Sequence, residues 1–121
     1  MASKIKHIEI AGFDGYKLQD FYGKLFGWDM KRRDVGGFDY HDAEIPGELT
    51  AGIRHEPKSG PEVVVYVEVD DLESSIEKAE ALGGSLRIPP TQYGDLRFAL
   101  IKDPEGNPLG LVEEQGGEKG A

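Results

Sequence analysis

A pattern that occurs twice along the chain restricts the possible folds more than any other feature of the sequence. Residues 4–55 and 62–114 contain the same order of apolar strands, one amphipathic helix, glycines and tight turns. Equivalent positions are separated by 57 or 58 residues: Asp14 and Asp71, Gly27 and Gly84, Ile45 and Asp103, Gly52 and Gly110. Because helix length, terminal glycines and hairpin positions all stay in step, the repeat predicts two copies of one β-α-β-β-β module. The predicted fold class is α+β.

The first module begins with a strand at residues 5–10, in which apolar and polar residues alternate and His7 and Glu9 lie on the polar face. A period of 3.6 follows, which predicts a helix that buries a broad apolar stripe and ends at Gly27. The residues of this stripe are Leu18, Phe21, Tyr22, Leu25 and Phe26. Further strands are predicted at residues 28–32, 38–45 and 49–55, with a turn at Gly36–Gly37.

The second module begins with a strand at residues 62–69. Its odd-numbered positions are all valine, which predicts a buried face: Val63, Val65, Val67 and Val69. Asp70 or Asp71 is placed to cap the helix that follows, and Gly83–Gly84 to end it. The remaining strands are predicted at residues 86–88, 97–102 and 108–113, with a turn at Pro89–Pro90. Residues 103–108 close the last hairpin, since Pro104 fixes φ for a turn and Gly106 tolerates positive φ.

Composition excludes several classes of function. The chain has 121 residues, enough for one compact domain, and it has no cysteine, which excludes disulfides and thiolate chemistry. Its net charge is −9, with 9 basic against 10 acidic residues in 1–58 and 5 against 13 in 59–121. Such a surface repels phosphate backbones and anionic membranes, so neither a nucleic acid nor a membrane is expected as a partner. We expect a cytoplasmic protein with a flexible tail at residues 115–121.

The geometry of such a module predicts where a ligand binds. Each helix covers only one face of its sheet, so the other face needs a second surface to cover it. Two modules that face each other, within one chain or across a dimer, would enclose a cleft between curved mixed sheets. Clefts of this kind bind small molecules.

With the repeat and the turn at residues 103–107 established, the chain resembles the vicinal oxygen chelate superfamily. This superfamily includes glyoxalase I, bleomycin-resistance proteins and extradiol dioxygenases. The resemblance covers residues 4–114, and its most specific segments are Phe21–Tyr22, Leu25–Trp28, Val67–Leu72, Ala81–Gly84 and Arg97–Leu111. It implies paired βαβββ modules with a cavity on the concave sheet faces, and commonly a homodimer.

The same resemblance bears on metal binding. In metal-dependent members a divalent ion is held by four side chains, one from the first strand and one from the last strand of each module. His7 matches the first of these positions, and imidazole is a competent ligand. The other three positions are Gly52, Val64 and Gly110, which have no ligand atoms. We therefore expect no metal cofactor, although a different site, built from histidines and nearby carboxylates, stays open: His7, His41, His55, Glu9, Glu44 and Glu68.

The expected ligand contacts follow from these positions and from strand alternation: His7, Gly52, Arg54, Val64, Tyr66, Glu68 and Gly110. The two glycines predict open space in the floor of the cavity. His7 with Glu9 or Glu68 is a candidate general acid/base pair, because a neighbouring carboxylate would raise the pKa of the imidazole towards neutrality. The alternative is a buried polar group that only satisfies its own hydrogen bonds.

Three functions fit this sequence. The first is a metal-free, homodimeric protein that binds or sequesters a cationic or polar organic molecule, as antibiotic-resistance members of the superfamily do. The second is an enzyme similar to lactoylglutathione lyase or to a dioxygenase, with an unconventional site at His7. The third is a regulatory subunit with an empty cleft.

Overall fold

The first half of the chain folds as one βαβββ unit. The structure is a computed structural model that describes residues 2–35 and 38–114; the predicted turn at Gly36–Gly37 and the predicted flexible tail at residues 115–121 lie outside the described residues. The chain divides into two compact units, one of Lys6–Val64 and one of Met1–Ile5 with Val65–Ala121. The elements of the first half are β1 (Ile5–Gly12), α1 (Gly15–Phe26), β2 (Asp29–Val35), β3 (Phe38–Glu44) and β4 (Thr50–His55). Their strand order is β2-β3-β4-β1, with β1 parallel to β4 and the other pairs antiparallel.

The second half repeats this arrangement. Its elements are β5 (Glu62–Glu68), α2 (Leu72–Ala81), β6 (Ser85–Tyr93), β7 (Leu96–Lys102) and β8 (Pro108–Glu114). The strand order is β5-β8-β7-β6, and the only parallel pair among these described strands is again the first with the last. Apolar side chains of α2, β7 and β8 form its core, namely Leu72, Ile76, Ala99, Ile101 and Leu111. The prediction of two βαβββ modules with mixed sheets in an α+β fold is therefore confirmed.

Both helices are fixed at their N-termini in the same way. Asp14 caps α1 by accepting from the amide of Lys17, and Asp71 caps α2 by accepting from the amide of Ser74. In addition, a side chain from the last strand of each half accepts from the first amide of the helix. Nδ1 of His55 accepts from Gly15 N at 2.9 Å, and a carboxylate oxygen of Glu113 accepts from Leu72 N at 2.8 Å. These four acceptors satisfy helix amides that have no partner within the helix.

The last hairpin is closed by Asp103. Its Oδ1 accepts from the amides of Glu105 and Asn107, at 2.8 and 2.9 Å, and its Oδ2 accepts from the side-chain amide of Asn107. Gly106 has a φ of 94°, a left-handed conformation that glycine adopts without strain. The turn predicted at residues 103–108 is confirmed.

The turn predicted at Pro89–Pro90 was wrong. The chain does not turn at Pro89–Pro90, since β6 continues to Tyr93 and the reversal to β7 comes at Gly94. Strand β6 is an edge strand of its unit, and its register against β7 shifts between Leu86 and Thr91. An edge strand with such irregularities accommodates prolines that a central strand would exclude.

The valine face of β5 is only partly buried, contrary to the prediction. Val63 is 57% exposed, whereas Val64 and Tyr66 on the other face are buried. Helix α1 differs from its prediction as well, because Leu18 and Tyr22 are half-buried while Phe21, Leu25 and Phe26 are more than half exposed. Among the described residues, no helix is long and apolar enough to cross a membrane.

Candidate functional site

Strand alternation places one set of polar side chains on the face of the first sheet that lies away from α1. The helix side is identified by Gly12, whose added Cβ would meet Leu18, and by His55, which binds the start of α1. In the parallel pair, His7 is opposite Thr50 and Glu9 is opposite Gly52, so these four share the other face. Arg54 and Tyr40, which are paired across β3 and β4, lie on the same face. The prediction that His7, Glu9, Gly52 and Arg54 share a face is confirmed.

His7 is held between two hydroxyl groups. Its Nδ1 lies 2.6 Å from Thr50 Oγ1, and its Nε2 lies 2.7 Å from the Tyr40 hydroxyl. Thr50 donates its own proton to the carbonyl oxygen of Lys6 at 3.3 Å, so its oxygen accepts from Nδ1–H of the imidazole. We assign Nε2 as the acceptor of the Tyr40 hydroxyl proton from this network. The result is a chain of hydrogen bonds from Tyr40 through a neutral His7 to Thr50.

Burial makes His7 a weaker base than a histidine in water. Desolvation lowers its pKa from 6.5 to about 4, because the imidazolium loses more hydration than the neutral ring. The prediction that a neighbouring Glu9 raises this pKa is wrong. The Glu9 carboxylate forms an ion pair with Arg54 instead, and the two ring nitrogens of His7 face hydroxyl groups. At neutral pH this imidazole is therefore uncharged, and its Nε2 accepts a hydrogen bond from the Tyr40 hydroxyl.

Arg54 is surrounded by carboxylates. Its guanidinium lies 2.7 Å from Glu9, 2.6 Å from Glu62 and 3.5 Å from Glu56. Glu9 is only 4% exposed, and ionised side chains at that depth are stable only when paired. The three carboxylates come from β1, from β5 and from the connector between β4 and β5, and all three contact the guanidinium of Arg54.

The space above the two predicted floor glycines is filled. A Cβ added at Gly52 would overlap the ring of Tyr40, and a Cβ added at Gly110 would overlap the ring of Tyr66. Tyr66 also contacts Phe98 edge to face, with ring centroids 6.4 Å apart. The expectation of open floor at Gly52 and Gly110 is therefore wrong, because in each half a tyrosine ring packs flat against the glycine.

The residues present do not fit the metal ion that some relatives hold. The equivalents of three of its ligands are Gly52, Val64 and Gly110, and Val64 is 0% exposed. The tyrosine rings over the two glycines take up the volume that ligand side chains would need. His7 is the remaining ligand, and one imidazole does not hold a divalent ion usefully at neutral pH.

A second group of carboxylates lies at the start of α2. Oxygens of Asp71, Glu73 and Glu113 come within 4.8 Å of one another. Arg97 pairs with both Glu73 and Glu113, and its contact with Glu113 is 2.8 Å. Because Asp71 and Glu113 also accept helix amides, these carboxylates serve to fix the helix N-terminus.

The sequence predicted which residues share a strand face. It did not predict several of the ion-pair and hydrogen-bond partners of those residues. Glu56 and Glu62 were not predicted to bind Arg54, since they come from the connector and from the next strand. The hydrogen bonds of Tyr40 and Thr50 to His7 were missed as well. A correct prediction of the β3–β4 register would have placed Tyr40 opposite Arg54, and therefore on the same face as His7. Glu68, which is half-buried in β5, stays a predicted contact.

Comparisons with known proteins identify the family. Residues 4–111 match the sequence profile of the Glyoxalase/Bleomycin resistance protein/Dioxygenase superfamily. The chain belongs to this superfamily.

Curated relatives carry names of the same kind. Proteins of Mycobacterium bovis and Mycobacterium tuberculosis named "Putative glyoxylase CFP32" are 32% identical over 112 residues, which is 86% of this chain and 43% of theirs. A "Glyoxylase-like domain-containing protein" of Didymella fabae is 26% identical over 131 residues, covering 93% of this chain and 95% of that protein. The chain thus spans less than half the length of the mycobacterial relatives.

Solved structures share the fold. Hypothetical protein BH1468 from Bacillus halodurans superimposes with a TM-score of 0.75 at 16% identity, covering 97% of this chain and 98% of that one. Methylmalonyl-CoA epimerase from Mycobacterium tuberculosis gives 0.63 at 19% identity, with coverage of 93% and 88%. A glyoxalase I mutant from Zea mays gives 0.69 at 24% identity, with coverage of 95% and 45%. At such identities the likeness concerns the fold alone.

Proposed function

We propose that this chain is a metal-independent member of the superfamily that binds a small cationic or polar organic molecule. The proposed contacts in the first half are His7 and Arg54 with Glu9, all on the sheet face away from α1. In the second half Tyr66 and Glu68 are proposed contacts, and a homodimer is the proposed assembly.

The observation that carries this proposal is the packing of tyrosine on glycine. Rings of Tyr40 and Tyr66 lie over Gly52 and Gly110, two of the positions where metal-dependent relatives have ligands. In each half an aromatic ring thus occupies the place where a metal site would need a ligand side chain. Aromatic faces also attract cations through the ring quadrupole.

Charge supports the choice of ligand class. The chain as a whole has a net charge of −9. A negative field raises the local concentration of positively charged molecules and speeds their association. An anionic ligand of equal size would be repelled.

A thermal-shift screen tests the proposal. The screen compares cationic, neutral and anionic organic compounds of matched size, and hits are confirmed by calorimetric titration. A ligand at 100 times its Kd adds about 2.7 kcal/mol to the free energy of unfolding, so true binders raise Tm clearly. We expect cationic or hydroxyl-rich hits whose affinity falls about tenfold in Glu9→Gln, because a negative charge is removed from the sheet face on which the ligand is proposed to bind.

The matched control is Glu48→Gln, which removes an exposed carboxylate from the β3–β4 loop. Its ligand affinity should equal that of the wild type. Failure of every cationic compound to raise Tm, or equal loss of affinity in Glu48→Gln and Glu9→Gln, would refute the proposed site.

A second candidate function is a proton-transfer enzyme, a lyase or isomerase of the glyoxalase type. The hydrogen bond between Tyr40 and Nε2 of His7 favours it, since a phenol and an imidazole in contact can hold or move one proton. The names of the curated relatives point the same way. In an enzyme of this kind, Nε2 of His7 would accept the Tyr40 proton. Thr50 would hold the imidazole in the tautomer that is protonated at Nδ1.

Assay of lactoylglutathione formation separates the two functions. If the chain is such an enzyme, Tyr40→Phe loses turnover yet keeps ligand affinity, because the phenol proton is removed and the ring stays. If wild-type protein gives no product above the uncatalysed rate, the enzyme hypothesis fails and the binding proposal stands on the thermal-shift screen.

A further inference from the structure

Helix α1 has an apolar face that the rest of the described chain leaves uncovered. Phe21 and Leu25 are each 57% exposed and lie one helical turn apart. The shallow, open surface beside them also includes Lys17, Asp20 and Lys24. Apolar side chains of this size, grouped and rimmed by charges, are typical of an interaction surface.

The aromatic side chains next to this face are held in place by one another. Phe21 contacts Tyr22 edge to face with centroids 5.1 Å apart, and Tyr22 stacks on Trp28 at 6.2 Å. Phe26, which is also exposed, contacts Trp28 at 5.0 Å. Because these rings are already ordered, covering them costs little additional side-chain entropy.

The rim of this face carries both positive and negative charges. Their spacing allows two copies of the helix to bring opposite charges together. Asp20 and Lys24 are four residues apart and lie on the same side of the helix as Phe21 and Leu25. If two copies of α1 pack antiparallel about a two-fold axis that crosses between residues 20 and 24, each Asp20 meets the Lys24 of the other copy. One such axis therefore creates two ion pairs while the apolar residues interdigitate.

We propose that the α1 face formed by Lys17, Asp20, Phe21, Lys24 and Leu25 is the surface on which a second copy of this chain docks, helix against antiparallel helix. The chain's net charge of −9 disfavours an anionic membrane as the occupant, and the aspartate within the rim disfavours it further. This surface specifies the homodimer included in the proposed function, and it contains none of the proposed ligand contacts, so failure of ligand binding and failure of this pairing are distinguishable.

The size of the helix sets the strength of the contact. Twelve helical residues span about 18 Å, and one such face provides less than the roughly 800 Å² per partner of a standard interface. We therefore expect a dimer that dissociates reversibly at concentrations on the order of micromolar.

Sedimentation equilibrium of the full chain, with charge-swap variants, tests this pairing. Asp20→Lys and Lys24→Asp each place like charges opposite one another in the dimer, and each should raise the dimer Kd about tenfold or more. The double variant with both swaps again has complementary signs, so its Kd should return to within about threefold of the wild type. Phe21→Glu should give a monomer, whereas Leu82→Glu, at an exposed leucine outside this face, should dimerise like the wild type.

Restoration by the double swap distinguishes a second copy from any other occupant, because only a two-fold contact pairs residue 20 with residue 24 of an identical chain. A wild type that stays monomeric at about 100 times the expected Kd overturns the proposal. So does a dimer that survives Phe21→Glu, or a double swap that dimerises no better than the single swaps. Circular dichroism of each variant shows that the comparison is between folded proteins.

Discussion

His7 is an imidazole with a fixed tautomer and no charge at neutral pH. The hydroxyls of Tyr40 and Thr50 bind its two nitrogens, and burial lowers its pKa to about 4. Such a group cannot act as a general acid at pH 7, since it has no proton to give at Nε2. It can accept a proton or orient the Tyr40 hydroxyl, and the proton-transfer alternative uses it in this way.

The depressed pKa of His7 predicts acid sensitivity. The folded value is about 4 and the unfolded value about 6.5, so between these values the unfolded chain takes up a proton that the folded chain does not. The free energy of unfolding should therefore fall as pH falls through this window, by roughly 3 kcal/mol in all. Urea denaturation at a series of pH values measures the effect.

His7→Gln is the matched variant for this series. Glutamine keeps hydrogen-bonding capacity towards the two hydroxyls but does not titrate. Other groups that titrate between pH 4 and 6.5 contribute equally to both proteins and cancel in the difference. Equal slopes of stability against pH for wild type and His7→Gln would contradict the lowered pKa.

Because Tyr40 packs on Gly52, we predict that the effects of substitutions at these two positions on stability are strongly coupled. Gly52→Ala introduces a methyl group that overlaps the ring, and overpacking of this kind costs about 1–3 kcal/mol. In a Tyr40→Ala background the same change should cost less than about 0.5 kcal/mol, because the obstructing ring is gone. Thermal denaturation of the four proteins in this cycle measures the coupling, and an equal cost in both backgrounds would show that the ring does not lie on the glycine.

Part of this site was predictable from residues alone. Alternation along β1 and β4 correctly grouped His7 and Glu9 with Gly52 and Arg54 on one face. What alternation does not give is the partner of each group, because partners come from distant strands. His7 was predicted to pair with Glu9 or Glu68, whereas the Glu9 carboxylate forms an ion pair with Arg54 of β4.

At the scale of elements, the two helices share one device for fixing their N-termini. Each has an aspartate cap, and each is bound by a side chain at the end of the last strand of its half, His55 in one case and Glu113 in the other. These two residues are 58 positions apart and therefore equivalent in the repeat. An imidazole and a carboxylate do the same work here, because both accept a hydrogen bond.

Loss of the Glu113 contact should destabilise α2. Glu113→Ala leaves the buried Leu72 amide without an acceptor and removes a partner of Arg97, for an expected cost of about 2–3 kcal/mol. Glu113→Gln keeps an acceptor oxygen and should cost about half as much, on the order of 1 kcal/mol. Glu77→Ala, on the exposed side of α2, is the control and should change stability by less than about 0.5 kcal/mol. Chemical denaturation ranks the three, and an effect of Glu113→Ala no larger than that of Glu77→Ala would refute the anchoring role.

Element positions were predicted well where local chemistry decides them. The Asp103 turn was placed correctly, and Asp71 is one of the two caps predicted for α2, since caps and turns depend on nearby backbone groups. The prediction at Pro89–Pro90 was wrong because it treated two prolines as a turn. Whether a strand lies at the edge of a sheet, where proline is tolerated, depends on the order of strands, and one sequence does not reveal that order.

At the scale of the whole molecule, the internal repeat is clear while the ligand positions of metal-dependent relatives are mostly replaced. Each half has a βαβββ order and a tyrosine ring over a glycine near the middle of its last strand. The helical period identified the apolar stripe of α1. It did not indicate which surface covers that stripe. Membership of the superfamily gives the fold, and ligand binding without a metal is our proposal for the side chains within it.

Metal content is the most direct test of this account. Protein purified without chelator, and the same protein dialysed against Zn²⁺ and then Ni²⁺, is measured by elemental mass spectrometry beside the His7→Ala variant. We predict divalent metal at background level in both proteins, because Gly52, Val64 and Gly110 supply no ligands. About one divalent ion per chain in the wild type, lost in His7→Ala, would contradict the account and direct attention to metal-dependent chemistry at His7.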